Sequence, residues 1–284
     1  MGERGLDDLV ERIRVWAAAQ PDIRGAFIVG SHARAEQPAD RWSDLDVALV
    51  VDDPARYATD AEWVGSFGRR PLLTFLEATA VGDEVERRVL YDDGQDVDFA
   101  LIPAATVTPE LAPEETAVLA RGYRLLFDEI GLSPRLAAAA AVAAPPRRLT
   151  QETFDQLTHD FWYHALLAAK KLRRGEVLLA KQTCDCYLKR LLVELEEWRV
   201  RYRSPAMDTW HGGRFFEQWA DAATVARLRD TFAAYEPADV SRALRSTVGL
   251  FAELEIELAD RAELTRSTSH EELTRELTRI LDDA

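Results

Sequence analysis

A change of hydrophobic period near residue 140 limits this fold more than any other feature of the sequence. Before it, short β-branched runs alternate with amphipathic stretches; after it, apolar residues recur almost only at helical spacing. Sheets and helix bundles bury their apolar faces by different geometries. The expectation is therefore an α+β chain in two domains: a mixed β-sheet with helices over 1–140, and an α-helical bundle over 150–284. A length of 284 residues suits two cores. The join lies between Leu136 and Thr150, a stretch that is Ala-rich as far as Ala144 and closed by Pro145-Pro146-Arg147-Arg148. Leu136 to Ala144, the longest apolar run, falls far short of the ~20 residues that cross a bilayer. Met1-Gly2-Glu3-Arg4 opens without the apolar stretch of a signal peptide, so a cytoplasmic chain with no membrane partner is expected.

In the first half, Leu6, Val10, Ile13 and Ala17 repeat at helical spacing ahead of Pro21. Ala26-Phe27-Ile28-Val29 and the β-branched Asp46-Val47-Ala48-Leu49-Val50-Val51 read as strands separated by a polar loop, and Leu72 to Leu76 as another. Arg88-Val89-Leu90-Tyr91 and Val97 to Ile102 flank Asp93-Gly94, which predicts a hairpin. In the second half, a helix over Asp155 to Arg174 puts Phe161, Ala165, Ala168, Ala169 and Leu172 on one face and Asp160, His164, Lys171 and Arg174 on the other. A further helix is expected from Glu176 to Tyr202. A last one runs from His270 to Leu281, with Ser269 and Glu272 at capping-box spacing.

The balance of 35 Lys+Arg against 50 Asp+Glu, a net charge of -15, argues against a nucleic-acid partner, which would call for a basic stripe. It suits a cationic ligand. Cys184 and Cys186, two apart on a helix, point in divergent directions and read as packing residues rather than a disulfide or a metal site.

One constellation carries chemistry. Gly30-Ser31 is followed, after a polar spacer, by Asp44-Leu45-Asp46 at the head of a hydrophobic strand, and Asp98 heads another. Residues i and i+2 of a strand point the same way, so Asp44 and Asp46 present two carboxylates to one point. Such anions repel unless a cation lies between them, and hard oxygen ligands suit Mg²⁺; a third carboxylate on a neighbouring strand would allow two ions. Gly30 lets the backbone approach a phosphate, to which the Ser31 hydroxyl and amide can donate.

Strand, Gly-Ser, spacer, Asp-x-Asp, strand and a later Asp together resemble the nucleotidyltransferase superfamily to which DNA polymerase β belongs. The likeness narrows to the aminoglycoside 6-adenylyltransferases, the streptomycin-modifying family. Asp93-Gly94-Gln95-Asp96-Val97-Asp98 is similar to its D-G-x-x-[IV]-D segment. Ala169-Lys170-Lys171-Leu172-Arg173-Arg174-Gly175-Glu176, then Ala180-Lys181, Leu191-Leu192 and Glu197-Trp198, are similar to its A-K-G-L-W-R-x-E, A-K and L-L-x-x-x-x-W run. His211-Gly212-Gly213-Arg214 echoes a glycine-basic element, and the resemblance spans residues 5 to 260. The chain departs from the pattern at His32, where the family has Arg, and at Lys171 and Arg173, where it has Gly and Trp.

The resemblance implies a polymerase-β-like N-terminal domain, a helical domain that binds substrate and nucleotide, and an active site between the two. It implies Mg²⁺ as cofactor, ATP as co-substrate and a cationic small-molecule acceptor; a monomer is expected. Asp44, Asp46 and Asp98 would be the catalytic and metal residues, with Glu77 as candidate base. Gly30, Ser31, Arg34, Lys170 and Arg174 would bind the nucleotide, and Asp160 and His164 the acceptor. The implied reaction is transfer of AMP to a hydroxyl of a streptomycin-like aminoglycoside, with release of pyrophosphate. Other acceptors, small or protein, and a catalytically silent nucleotide-binding module remain as alternatives. Glu77 equally suits a solvated strand end, and Lys170, Arg174 and Asp160 a solvated helix face. Trp162, Trp198, Trp210 and Trp219 read as packing residues.

Overall fold

A computed structural model describes residues 3–107, 113–141, 148–209 and 212–282. Pro145, Pro146, Arg147, Trp210 and His211, singled out above, lie outside the described residues. The chain divides into two compact units, 1–146 and 147–284, and together they make an α+β protein.

The first unit runs α1 (Glu3–Ala18), β1 (Ile23–Val29), a 3₁₀ turn (Gly30–His32), β2 (Leu45–Val51), α2 (Pro54–Thr59) and a second 3₁₀ turn (Glu62–Phe67). It continues with β3 (Pro71–Ala78), β4 (Val85–Tyr91), β5 (Asp96–Pro103), α3 (Pro113–Ala120), β6 (Arg124–Asp128) and α4 (Leu132–Ala140). The six strands form one sheet in the order β3-β4-β5-β2-β1-β6. Every neighbouring pair is antiparallel except β2 and β5.

Alternation along the strands gives the sheet two apolar faces. Val47, Leu49 and Val51 of β2 and Val97, Phe99 and Leu101 of β5 pack with Leu9, Ile13 and Ala17 of α1 and with Trp63 and Phe67. Trp63 is stacked on Trp16, centroids 5.2 Å apart, and meets Phe99 edge-on at 4.9 Å. On the opposite face Phe27, Ala48 and Val50 pack with Leu119 of α3 and with Leu132, Leu136 and Ala139 of α4. Each fully buried Val, Leu or Phe contributes about 1.5–3 kcal/mol relative to exposure.

Helix α4 takes up the start of the Ala-rich stretch expected to end the pattern. An alanine run has no polar stripe, so periodicity cannot mark it. The helix is fixed instead by the Asp128 carboxylate, which accepts from the amides of Ile130, Leu132 and Ser133 at 3.0, 2.8 and 2.9 Å.

The second unit comprises α5 (Gln151–Arg173), α6 (Val177–Gln182), a π turn (Thr183–Tyr187), α7 (Leu188–Arg203), α8 (Phe216–Trp219), α9 (Ala222–Leu228), α10 (Pro237–Ala262) and α11 (His270–Asp282). Helices α5, α7, α10 and α11 enclose one apolar core, in which Phe161 and Phe251 stack with centroids 3.5 Å apart. Trp162, Trp198 and Trp219 are buried. Thr150 caps α5 through a 3.1 Å bond from the Thr153 amide, and the Ser269 hydroxyl accepts from the Glu272 amide at 3.3 Å. The helix expected from Glu176 to Tyr202 runs without a gap from Val177 to Arg203 and contains the π turn at Thr183–Tyr187. Here Lys181 pairs with Asp185, and the buried Lys189 ammonium donates to the Cys184 carbonyl at 2.8 Å. Burial holds the Lys189 pKa below its ordinary value. Cys184 is buried and Cys186 exposed.

Candidate active site

The site in the first unit follows from strand register. Asp46 lies directly opposite Asp98 in the parallel β2–β5 pair, and opposite Val29 in the antiparallel β1–β2 pair. Asp44 precedes β2 by one residue and, two before Asp46, shares its direction. Ligand oxygens of Asp44, Asp46 and Asp98 all lie within 4.8 Å of one another.

Gly30 follows Val29 directly, so the backbone turns beside Asp46. Its φ is +68° and a Cβ here would lie 1.9 Å from Asp46 Oδ2. Only glycine fits such a close approach in the left-handed region. Ser31, the next residue, is buried and its Oγ has no hydrogen-bond partner.

Asp98 is 7% exposed. Burial pushes its carboxyl up to about 6, opposed by the Arg88 guanidinium and reinforced by Glu86, Asp44 and Asp96. Three convergent carboxylates, one of them desolvated, fit a hard divalent cation.

The other expected residues fall in different places. Glu77 is on β3, the edge strand, half-exposed and 2.9 Å from Arg88. Arg34 Nε donates to the Gln37 carbonyl at 2.8 Å, within the loop before β2. Burial holds the His32 imidazole below its ordinary value, against the Ser43 carbonyl and Asp44, so this position carries no charge at neutral pH.

In the second unit Lys170 is exposed on α5, and Arg174, one turn on, caps that helix and pairs with Glu176 at 2.7 Å. Asp160 and His164 are brought together, with His164 Nδ1 2.7 Å from Asp160 Oδ1. Tyr187 completes this group, its hydroxyl 3.0 Å from both Asp160 oxygens and its ring 4.3 Å from that of His164.

Three participants escaped the sequence reading. Tyr187 depends on the phase shift of the π turn, which no local pattern marks. Arg88 and Glu86 alternate on β4 toward Asp98, and pairing the strands outward from the Asp93-Gly94 turn would have found Arg88, which lies opposite Asp98.

The chain is similar to known proteins along most of its length. The profile of the streptomycin adenylyltransferase family matches residues 4–280. The aminoglycoside 6-adenylyltransferase of Campylobacter jejuni is 21% identical over 261 residues, covering 90% of this chain and 88% of its own. That of Bacillus subtilis (strain 168) is 22% identical over 202 residues, 69% of each chain. A crystal structure of an aminoglycoside 6-adenyltransferase from Bacillus subtilis superposes with a TM-score of 0.48 at 16% identity, covering 100% of both chains. The match along almost the whole sequence makes this chain a member of the streptomycin adenylyltransferase family.

Proposed function

We propose that the protein transfers AMP from ATP to a hydroxyl of a cationic, streptomycin-like aminoglycoside, with Mg²⁺ as cofactor. The observation that carries this reading is the convergence of Asp44, Asp46 and Asp98 within 4.8 Å. Family membership and the names of the two curated relatives supply the direction of the chemistry.

Asp44, Asp46 and Asp98 would hold the divalent cation. When bound, that cation neutralises phosphate charge and lowers the pKa of the acceptor hydroxyl. The acceptor oxygen attacks the α-phosphorus in line: the new O–P bond forms, the bond to the bridging oxygen of the β-phosphate breaks, and pyrophosphate leaves. Glu77 receives the acceptor proton. The amide and hydroxyl of Ser31, with Gly30 giving close access, donate to the phosphates, and Arg34 adds positive charge. Catalysis rests on orientation and charge compensation.

Lys170 and Arg174 are proposed for nucleotide binding, and Asp160 with His164 for the acceptor's cationic groups. Their support is charge and spacing on α5, and the net charge of -15 suits such an acceptor.

The test is pyrophosphate release with MgATP across streptomycin, spectinomycin, kanamycin and lincomycin, with Asp46→Asn as control. Release with streptomycin, abolished in the variant, is expected. Release with another compound alone would move the acceptor class, and undiminished release by Asp46→Asn would refute the carboxylate mechanism.

A further inference from the structure

We propose that Arg88 is a positioning residue: its guanidinium occupies a pocket of three carboxylates, Glu77, Glu86 and Asp98, and ties Glu77 to the aspartate triad. Residues Asp46, Asp98, Arg88 and Phe75 stand opposite one another across β2, β5, β4 and β3, in one row on one face of the sheet. Glu86 and Glu77 flank that row on the same face, two residues from Arg88 and Phe75 respectively. Arg88 Nε donates to Glu86 Oε1 at 2.8 Å, and ion-pair contacts place Arg88 Nη2 2.7 Å from Glu86 Oε1 and 3.5 Å from Asp98 Oδ2, and Arg88 Nε 2.9 Å from Glu77 Oε2.

The geometry asks for arginine. A guanidinium spreads its charge and five donors over a rigid plane, so that it donates to Glu86 and stays within ion-pair distance of Glu77 and Asp98, whereas an ammonium is a point charge with its donors on a single atom. The side chains of Glu86 and Asp98 are 12% and 9% exposed, so two of the acids are largely withdrawn from water and keep the cation in place. Glu77 is different, with a side chain 51% exposed on the edge strand. Without the bridge its rotamers are unrestrained, and a proton acceptor that wanders by an ångström loses about 100-fold in rate. Arg88 therefore supplies aim to Glu77. When Glu77 takes the acceptor proton and becomes neutral, Glu86 and Asp98 retain the guanidinium.

The role in turnover rests on the reading of Glu77 given above; the pocket itself does not. Arg88→Ala, the longer Arg88→Met, Arg88→Lys, Glu77→Gln, Arg88→Ala/Glu77→Gln and Arg88→Ala/Glu86→Gln are compared in two assays. In pyrophosphate release, Arg88→Ala and Arg88→Met lose about 100-fold in kcat with KM for ATP within about threefold. Methylguanidinium restores part of the Arg88→Ala loss, Arg88→Lys recovers less than wild type, and Arg88→Ala/Glu77→Gln is no slower than its slower parent.

In calorimetry, Arg88→Ala binds methylguanidinium, while wild type and Arg88→Ala/Glu86→Gln do not. Multiplying losses in the double variant, an unchanged kcat in both Arg88→Ala and Arg88→Met, or no methylguanidinium binding by a folded Arg88→Ala would each overturn the proposal. If wild type releases pyrophosphate with no acceptor, the proposed function fails by itself, and calorimetry still decides whether the guanidinium pocket exists.

Discussion

Replacing Asp98 with asparagine should stabilise the metal-free protein while destroying its site. Burial raises the Asp98 carboxyl from 3.8 to about 6, and two pKa units correspond to about 3 kcal/mol. The sign follows from which state holds the proton. Between pH 4 and 6 the folded protein keeps the proton that the unfolded chain has released, so the favourable contribution, complete below 3.8, is lost as pH rises through about 6. At pH 7.5 the ionised, half-neutralised carboxylate is a liability of the fold, and a neutral amide of the same shape removes it.

At roughly 2–4 °C per kcal/mol for a chain of this class, Asp98→Asn should melt roughly 6–12 °C above wild type at pH 7.5 in EDTA, by calorimetry or circular dichroism. The gap should close as pH falls toward 4. Saturating Mg²⁺ should raise the wild-type melting temperature and leave the variant's unchanged. A variant that melts at or below the wild-type temperature at pH 7.5 would refute the argument, because it would mean that Asp98 is already compensated by its neighbours.

Three further outcomes are expected. Mn²⁺ affinity, followed by calorimetry, should fall about tenfold per pH unit below about 6, since the ion must displace the Asp98 proton; a flat profile down to pH 5 would exclude Asp98 as a ligand. Gly30→Ala should cost about 1–3 kcal/mol in urea unfolding and lower Mn²⁺ affinity, because its Cβ would meet Asp46 Oδ2 at 1.9 Å; wild-type behaviour in both measurements would contradict the close approach. Tyr187→Phe removes the single hydroxyl proton shared between the two Asp160 carboxylate oxygens, each 3.0 Å away, and should cost about 1 kcal/mol in the same unfolding assay, an effect that Asp160→Asn should largely mask.

The triad was legible in the sequence because every step of its construction is local or periodic. The i, i+2 spacing aligns Asp44 with Asp46, and the hairpin signal at Asp93-Gly94 delimits β5, whose third residue is Asp98. What escaped depends on contacts distant in sequence or on patterns that alternation does not encode. Strand β6 is short and earns its place by pairing with β1, about a hundred residues earlier, with Ala26 opposite Phe127. Helix α4 opens on Leu132-Ser133-Pro134-Arg135 and closes on four alanines, which carry no apolar–polar alternation to mark it. Tyr187 reaches Asp160 only because the π turn resets the phase between α6 and α7. Spacing of one helical turn also says little about partners: Arg174 at the end of α5 turns to Glu176, while its neighbour by spacing, Lys170, remains on the exposed face.

The lone parallel pairing in the sheet has a further consequence. Strands β2 and β5 are neighbours in space but are separated in sequence by the β3–β4 hairpin, so nothing in either strand alone dictates which residue of one meets which of the other. A slip of one position would turn Asp98 to the face where Phe99 now packs with Trp63 and Phe67, and would turn Phe99 toward Asp46. A carboxylate stranded among aromatic rings, unpaired, costs several kcal/mol. The residues that equip the sheet for chemistry thus also act as its proofreaders: a misaligned sheet is rejected during folding by the same charge that a correctly aligned one offers to a cation.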